Sequence, residues 1–267
     1  MSISRRKFLY SGLLASGAAA IVLVGALGLT RAFDRNALWT IVHDQCVPNQ
    51  QQHADPAPCA RVDLQGGVER GYVILKDIVG HTQYLLIATA HISGIESPEL
   101  LQPGAPNYFA AAWRERGFTE RAAGHPLPRT AISLAINSAN RRGQDQFHIH
   151  IDCLRADVRS ALQAQLPRIG DAHSNSWASF PEPPAGHDYR AVRVLGAELD
   201  GVDPFVLVAD GVPGASAAMG AQTLVVVGAD FGDAGPGFVI LNASSDSAGV
   251  PIRGEELQDH SCALARE

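Results

Sequence analysis

Two histidines and an aspartate stand at alternate positions in the run Gln146-Phe-His-Ile-His-Ile-Asp-Cys-Leu154. Alternate residues of a β-strand share a face, so His148, His150 and Asp152 point one way while Phe147, Ile149, Ile151 and Cys153 point the other. The apolar set is a core face. The polar set gathers two imidazoles and a carboxylate, a combination suited to nucleophilic attack by a neutral imidazole or to metal ligation. A strand face that merely meets solvent accounts for one such residue and poorly for three.

The elements around this strand set its surroundings. Asn36–Cys46 has the helical spacing of Leu38, Ile41 and Val42, with Asn36 as its cap. Gly71–Lys76 and Gln83–Thr89 read as strands joined by a hairpin-like turn, Asp77–His81, and Asn107–Ala123 reads as a helix. Ala131–Asn137 alternates small with large apolar residues. If it pairs with the histidine strand, Ala131, Ser133, Ala135 and Asn137 share the histidine face and leave room for a ligand. A helix follows at Asp157–Leu166. The Ser-, Pro- and Gly-rich segment 170–187 divides an amino half, 36–169, from a carboxyl half, 188–267. Arg190–Leu195, Phe205–Ala209, Thr223–Gly228 and Phe238–Asn242 read as further strands, and Glu255–His260 as a closing helix. These elements make an α+β fold with a mainly antiparallel sheet and flanking helices.

The pattern Asn137-x5-Gly143-Gln144-x3-His148-Ile-His150-Ile-Asp152 resembles the signature of the histidine-triad (HIT) superfamily. That resemblance implies a HIT-like domain in which the middle histidine, His150, attacks the α-phosphorus of a nucleotide and becomes transiently nucleotidylated. It makes His148 the supporting histidine and puts Asn137 and Gln144 in contact with phosphate. Asp152 stands where the third histidine belongs, and Lys76-Asp77 where the superfamily has His-Asp. Lys76 then becomes the candidate for the missing positive charge, and Asp152 faces the phosphate or orients an imidazole. Longer blocks, among them Cys46-Val-Pro-Asn-Gln-Gln-Gln52, Gly71-Tyr-Val-Ile-Leu-Lys-Asp77 and Phe147-His-Ile-His-Ile151, resemble the bacterial CDP-diacylglycerol pyrophosphatases. That resemblance implies hydrolysis of CDP-diacylglycerol in the bilayer to CMP and phosphatidate, with no cofactor, no metal and no obligatory protein partner. Two readings compete. His-x-His-x-Asp also opens a metal-dependent hydrolase motif, though Cys153 stands where that motif continues with His, and a non-catalytic nucleotide- or lipid-binding module belongs to a different class. Of the remaining histidines, His43, His53, His125 and His173 read as surface residues, His81 lies in the turn after Lys76, and His91, His187 and His260 have no motif context.

Composition agrees with a folded, non-nucleic-acid-binding protein. The 267 residues are 46% hydrophobic and 18% charged, with a net charge of −6. Setting aside Arg5, Arg6 and Lys7 leaves 18 basic residues against 27 acidic ones, a balance of −9 that offers no basic face to nucleic acid. Residues 1–31 read as a twin-arginine-like signal anchor preceding a domain at 32–267. Ser4-Arg-Arg-Lys-Phe-Leu9 opens it, and Phe8–Thr30 holds no charged residue. As a helix this run spans about 34 Å, enough for a hydrocarbon core of about 30 Å. The length favours a retained anchor over a cleaved signal, with the basic end cytoplasmic and the domain on the outer, periplasmic side of a bacterial inner membrane. The four cysteines suit that oxidising side. Cys46 and Cys59 bracket a polar loop as one pair. Cys153 and Cys262 remain as a second pair or as buried thiols.

Overall fold

The computed structural model describes residues 34–172, 176–180, 186–244 and 252–263. The anchor expected at 1–31 lies outside these residues. Among the described residues no helix is long and apolar enough to cross a membrane.

The fold is a mixed α/β architecture dominated by one antiparallel sheet. Its strands are β1 (Arg61–Asp63), β2 (Tyr72–Lys76), β3 (Tyr84–Ala88), β4 (Ile132–Ile136), β5 (His148–Leu154), β6 (Ala178–Ser179), β7 (Arg190–Leu195), β8 (Gln222–Asp230), β9 (Pro236–Ser244) and β10 (Gln258–Asp259). They lie in the order β1-β2-β3-β5-β4-β8-β9-β7-β6, and β10 pairs with the far end of β5. The β4–β8 pairing joins the amino and carboxyl halves into a single sheet.

Helices cover both faces. Residues on α3 (Tyr108–Arg114) and α6 (Pro204–Gly211) pack with Ile149, Ile151 and Cys153, so the odd-numbered face of β5 is the core face that alternation requires. On the other face, α1 (Ala37–Ile41) and α2 (Val47–His53), joined by the π-helical turn Val42–Cys46, pack against Val73, Leu85 and Ile87. On the same face Ala135, Val225 and Leu241 carry a separate apolar cluster with α5 (Ala156–Gln165) and Leu257. Between these two clusters runs β5, with Ala135 and Leu85 flanking His150 across the ladder. The histidines therefore occupy a polar seam between apolar blocks.

Several expected elements differ. Phe205–Ala209 is helical, not a strand, because Asp203 caps it through the Phe205 amide at 2.9 Å and Pro204 fixes the first turn. The long helix expected at 107–123 breaks into α3 and α4 (Gly117–Ala123) at Glu115–Arg116. Asn36 makes no side-chain cap; its amide instead bonds to Asp34 Oδ1 at 2.9 Å. The polar loop after Cys46 is largely α2. The closing helix is a 3-10 turn, Gly254–Leu257, running into β10.

That closing segment also fills the space expected for a ligand. Ser133, Ala135 and Asn137 do share the histidine face, with Ser133 opposite Asp152 and Ala135 opposite His150. Ala131 instead joins the opposite core. A Cβ on Gly254 would lie 3.1 Å from the Ala135 Cβ, and Gln258 Nε2 donates to Ser133 O at 3.2 Å. The small residues accommodate the carboxyl-terminal turn.

Two disulfides fasten the structure: Cys46–Cys59, with Cα atoms 5.6 Å apart, and Cys153–Cys262, with Cα atoms 5.3 Å apart. The second closes a separation of 109 residues and holds the carboxyl end against β5. In the loop-entropy description a bridge of that span confines the unfolded chain by about 4.7 kcal/mol. Paired Cys153→Ser and Cys262→Ser substitutions should lower the denaturant midpoint by the equivalent of about 2–5 kcal/mol. An unchanged midpoint would show that the carboxyl end is held by its polar contacts alone.

Candidate active site

His150 is 6% exposed and His148 7%, their rings edge to face with centroids 5.0 Å apart. His148 Nδ1 lies 2.6 Å from the Gln146 carbonyl, an acceptor, so Nδ1 carries the proton. Burial, then the neighbouring His150 imidazole, lowers the His148 pKa to about 4. His148 is therefore neutral at pH 7.

His150 is held through Nδ1. The Gln83 side-chain amide lies 2.5 Å from it, Glu255 Oε2 3.5 Å and Asp77 Oδ2 3.9 Å. Two carboxylates beside one ring nitrogen place the proton there. The Gln83 amide, whose two ends have the same shape, then presents its oxygen to accept it. Nε2, the other ring nitrogen, is buried without a hydrogen-bond partner. A buried imidazole nitrogen with a free lone pair, on a ring fixed through its N–H, has the arrangement of an activated nucleophile.

Asp152 is fully buried. Its Oδ1 accepts from Thr82 Oγ1 at 2.6 Å and from the Cys153 amide at 2.8 Å, while Oδ2 meets His260 Nδ1 at 2.6 Å. The acid at the third motif position thus orients an imidazole, His260, brought from the carboxyl end by β10. Parity explains the match. Gln258 pairs with Leu154 and Asp259 with Cys153, so the residue after Asp259 returns to the Asp152 face. The bond to Asp152 raises the His260 pKa against the opposing effect of burial, and the charges of Glu255 and Asp77 add to it. For Glu255 burial pushes the carboxyl up, but His150, the Asn137 amide, Arg253 and His148 together hold it below its ordinary value.

The other sequence candidates take supporting places. Asn137 donates to Glu255 Oε1 at 3.2 Å and accepts from the Gly254 amide at 2.8 Å, so it positions the acid beside His150. Gln144 spends both ends of its amide on the start of α1, accepting from Leu38 N at 3.1 Å and donating to Asp34 O at 2.9 Å. Lys76 stands apart from the histidines. It pairs across the ladder with Tyr84 and through it with Ile151, on the opposite face, and its ammonium closes the turn onto Asp77 O and Gly80 O. Among the described residues no group of three or more His, Cys, Asp or Glu side chains is arranged to hold a metal ion.

This geometry sits in a chain whose sequence matches the CDP-diacylglycerol pyrophosphatase family profile over residues 33–266. It is also 42% identical over 243 residues to the CDP-diacylglycerol pyrophosphatase of Yersinia pestis, an alignment covering 91% of this chain and 90% of that one. The chain belongs to the CDP-diacylglycerol pyrophosphatase family. Gln83, Glu255 and His260 are the residues gathered around His150 and Asp152 that a strand motif alone does not reveal. In sequence Gln83 is only the first residue of a strand, and Glu255 and His260 lie more than a hundred residues from His150. For His260 the one signal in the sequence is Asp152, an acid standing where an anionic ligand is expected.

The two perturbed histidines should titrate on opposite sides of the ordinary value of 6.5. Imidazole resonances should show His148 neutral down to about pH 4 and His260 holding its proton above 6.5. His260 binds its proton more tightly in the folded chain. Its bond to Asp152 therefore stabilises fully below pH 6.5, and the contribution fades as pH rises through the folded-state value. His148 has the opposite sign: stability present above pH 6.5 is lost as pH falls toward 4. Asp152→Asn should return His260 toward 6.5; an unmoved His260 would contradict the assignment.

Proposed function

We propose that the protein hydrolyses the pyrophosphate bond of CDP-diacylglycerol through a nucleotidyl-histidine on His150. What carries this reading is the buried, unpartnered Nε2 of His150 on a ring whose Nδ1 is ringed by acceptors. It acts within a HIT-like domain, held by the amino-terminal anchor on the periplasmic side of a bacterial inner membrane, where the two disulfides are stable. A diacylglycerol-linked substrate stays in the bilayer, so an anchored enzyme meets it there.

In the first step Nε2 forms a bond to the α-phosphorus. The phosphorus–oxygen bond to the second phosphate breaks, and phosphatidate leaves with the electron pair. The leaving group is already an anion of low basicity and needs little help from an acid. Nδ1 keeps its proton, so the modified ring is cationic, and Glu255 and Asp77 stabilise that charge. Water then attacks phosphorus, the nitrogen–phosphorus pair returns to Nε2, and CMP and one proton are released. His148, neutral and beside His150, adds no repulsion to the imidazolium as it forms.

The His260 imidazolium, held on Asp152, supplies the positive charge that phosphoryl oxygens require near the reacting centre. Lys76 was the sequence candidate for that role, but its ammonium is committed to the turn. Asn137 acts through Glu255, and Gln144 fixes the start of α1. Phosphate contact passes in this reading from Asn137, Gln144, Lys76 and Asp152 to His260 and the histidine pair.

His150→Ala should reduce hydrolysis of CDP-diacylglycerol by at least about a thousandfold, and chelators should leave the native rate unchanged. Full activity in that variant would remove the nucleophile from the scheme, and chelator inhibition would favour a metal-dependent route. His260→Gln should lower kcat on the order of a hundredfold. It should also erase the fall in kcat on the alkaline side, where the native His260 loses its proton. A variant that loses rate but keeps that limb would confine His260 to packing.

A further inference from the structure

The turn between β2 and β3 carries two apolar side chains with nothing over them. Ile78 is 100% exposed and Val79 52% exposed, whereas the other large exposed hydrophobic residues among those described, Leu195 and Val206, are 45% and 37% exposed. An apolar pair at the apex of a turn contributes nothing to this core. The turn around it is nonetheless firmly built. Lys76 Nζ donates to Asp77 O at 2.8 Å and to Gly80 O at 3.0 Å, and Asp77 Oδ1 accepts from Val79 N at 3.0 Å. At Gly80, φ is +70°, and a Cβ there would collide with His260.

The same turn is continuous with the catalytic seam. Asp77 reaches toward His150, the residue after Gly80, His81, donates its amide to the His260 carbonyl at 3.0 Å, and Gly80 itself packs on His260. The apolar apex therefore adjoins Asp77, whose carboxylate lies 3.9 Å from His150, and the turn that holds His260.

We propose that Ile78 and Val79 insert into the acyl–headgroup boundary of a bilayer and so seat the catalytic seam on the surface that presents the substrate. This rests on the reading of the site as one acting on a lipid pyrophosphate. Charge supports a membrane as the occupant. The chain beyond residue 30 has a balance of −9, yet Lys76 and His260 stand at this turn while Asp77 is turned inward toward His150. An apolar tip with the Lys76 ammonium at its base suits an anionic lipid surface, where the −9 balance elsewhere favours no contact. The tip binds independently of the anchor: it orients the domain, where the anchor only tethers it.

The test uses the full chain in phosphatidylglycerol-containing vesicles, with Ile78→Cys labelled by the fluorophore NBD; the described residues hold no free cysteine to compete. NBD emission at 78 should shift to the blue and be quenched by nitroxide-bearing lipids, and a label at Leu195→Cys should show neither effect. Water-like emission at 78 would overturn the proposal. A blue shift without lipid quenching would overturn it too, by showing that a protein covers the tip. The paired Ile78→Ser and Val79→Ser variant should lose about tenfold in kcat/KM on vesicle-borne CDP-diacylglycerol. It should keep the native rate on a short-chain CDP-diacylglycerol dispersed as monomers. Native vesicle activity in the variant, or an equal loss on both substrates, would contradict membrane seating. Should the native enzyme hydrolyse neither substrate, the assigned reaction falls while the fluorescence still decides the tip.

Discussion

A carboxylate with no exposure to water must find its hydrogen-bond partners inside the protein, and Asp152 finds three. Thr82 comes from the turn ahead of β3, the Cys153 amide from β5 itself, and His260 from the carboxyl end. Removing any partner would leave a buried anion under-satisfied, a loss on the order of a few kcal/mol. That requirement explains why the chain returns to β5 after crossing the whole sheet. The bridge from Cys153 to Cys262 fixes the same return covalently, one residue from Asp152 and two from His260. Between them these two fastenings keep Gly254, Glu255 and Gln258 over the histidine face.

The consequence for chemistry is a division of labour along one strand. His148 is buried against a carbonyl and stays neutral; His150 is held by acceptors at Nδ1 and leaves Nε2 without a hydrogen-bond partner; Asp152 holds a third imidazole. Two apolar clusters flank the seam and keep water from screening it, which strengthens each electrostatic contact. The motif therefore still has three imidazoles in effect. The third arrives from the other end of the chain.

Much of this was legible in the sequence. Alternation on β5 gave its two faces correctly, and the alternation of small residues on β4 placed Ser133, Ala135 and Asn137 beside the histidines. What alternation does not carry is what lies over a face, and the space above Ala135 belongs to Gly254. Phe205–Ala209 misled for a related reason: a short apolar run fits strand or helix, and the decision rested on Asp203 and Pro204 ahead of it. Lys76 looked well placed by proximity to the motif position, but a single step of strand parity sends it to the opposite face. Glu255 and His260 were illegible because their contacts are long-range and their local sequence carries no periodic signal.

The central claim is that His150 carries the nucleotidyl group between two steps. Brief exposure of the enzyme to CDP-diacylglycerol labelled in the cytidine, followed by rapid denaturation in base and peptide mapping, tests it directly. Label should appear on the peptide containing His150, be stable to base and labile to acid as a phosphorus–nitrogen bond is, and disappear on a chase with unlabelled substrate. Single-turnover hydrolysis that runs to completion with no label on that peptide at any time would contradict the account and point to direct attack by water.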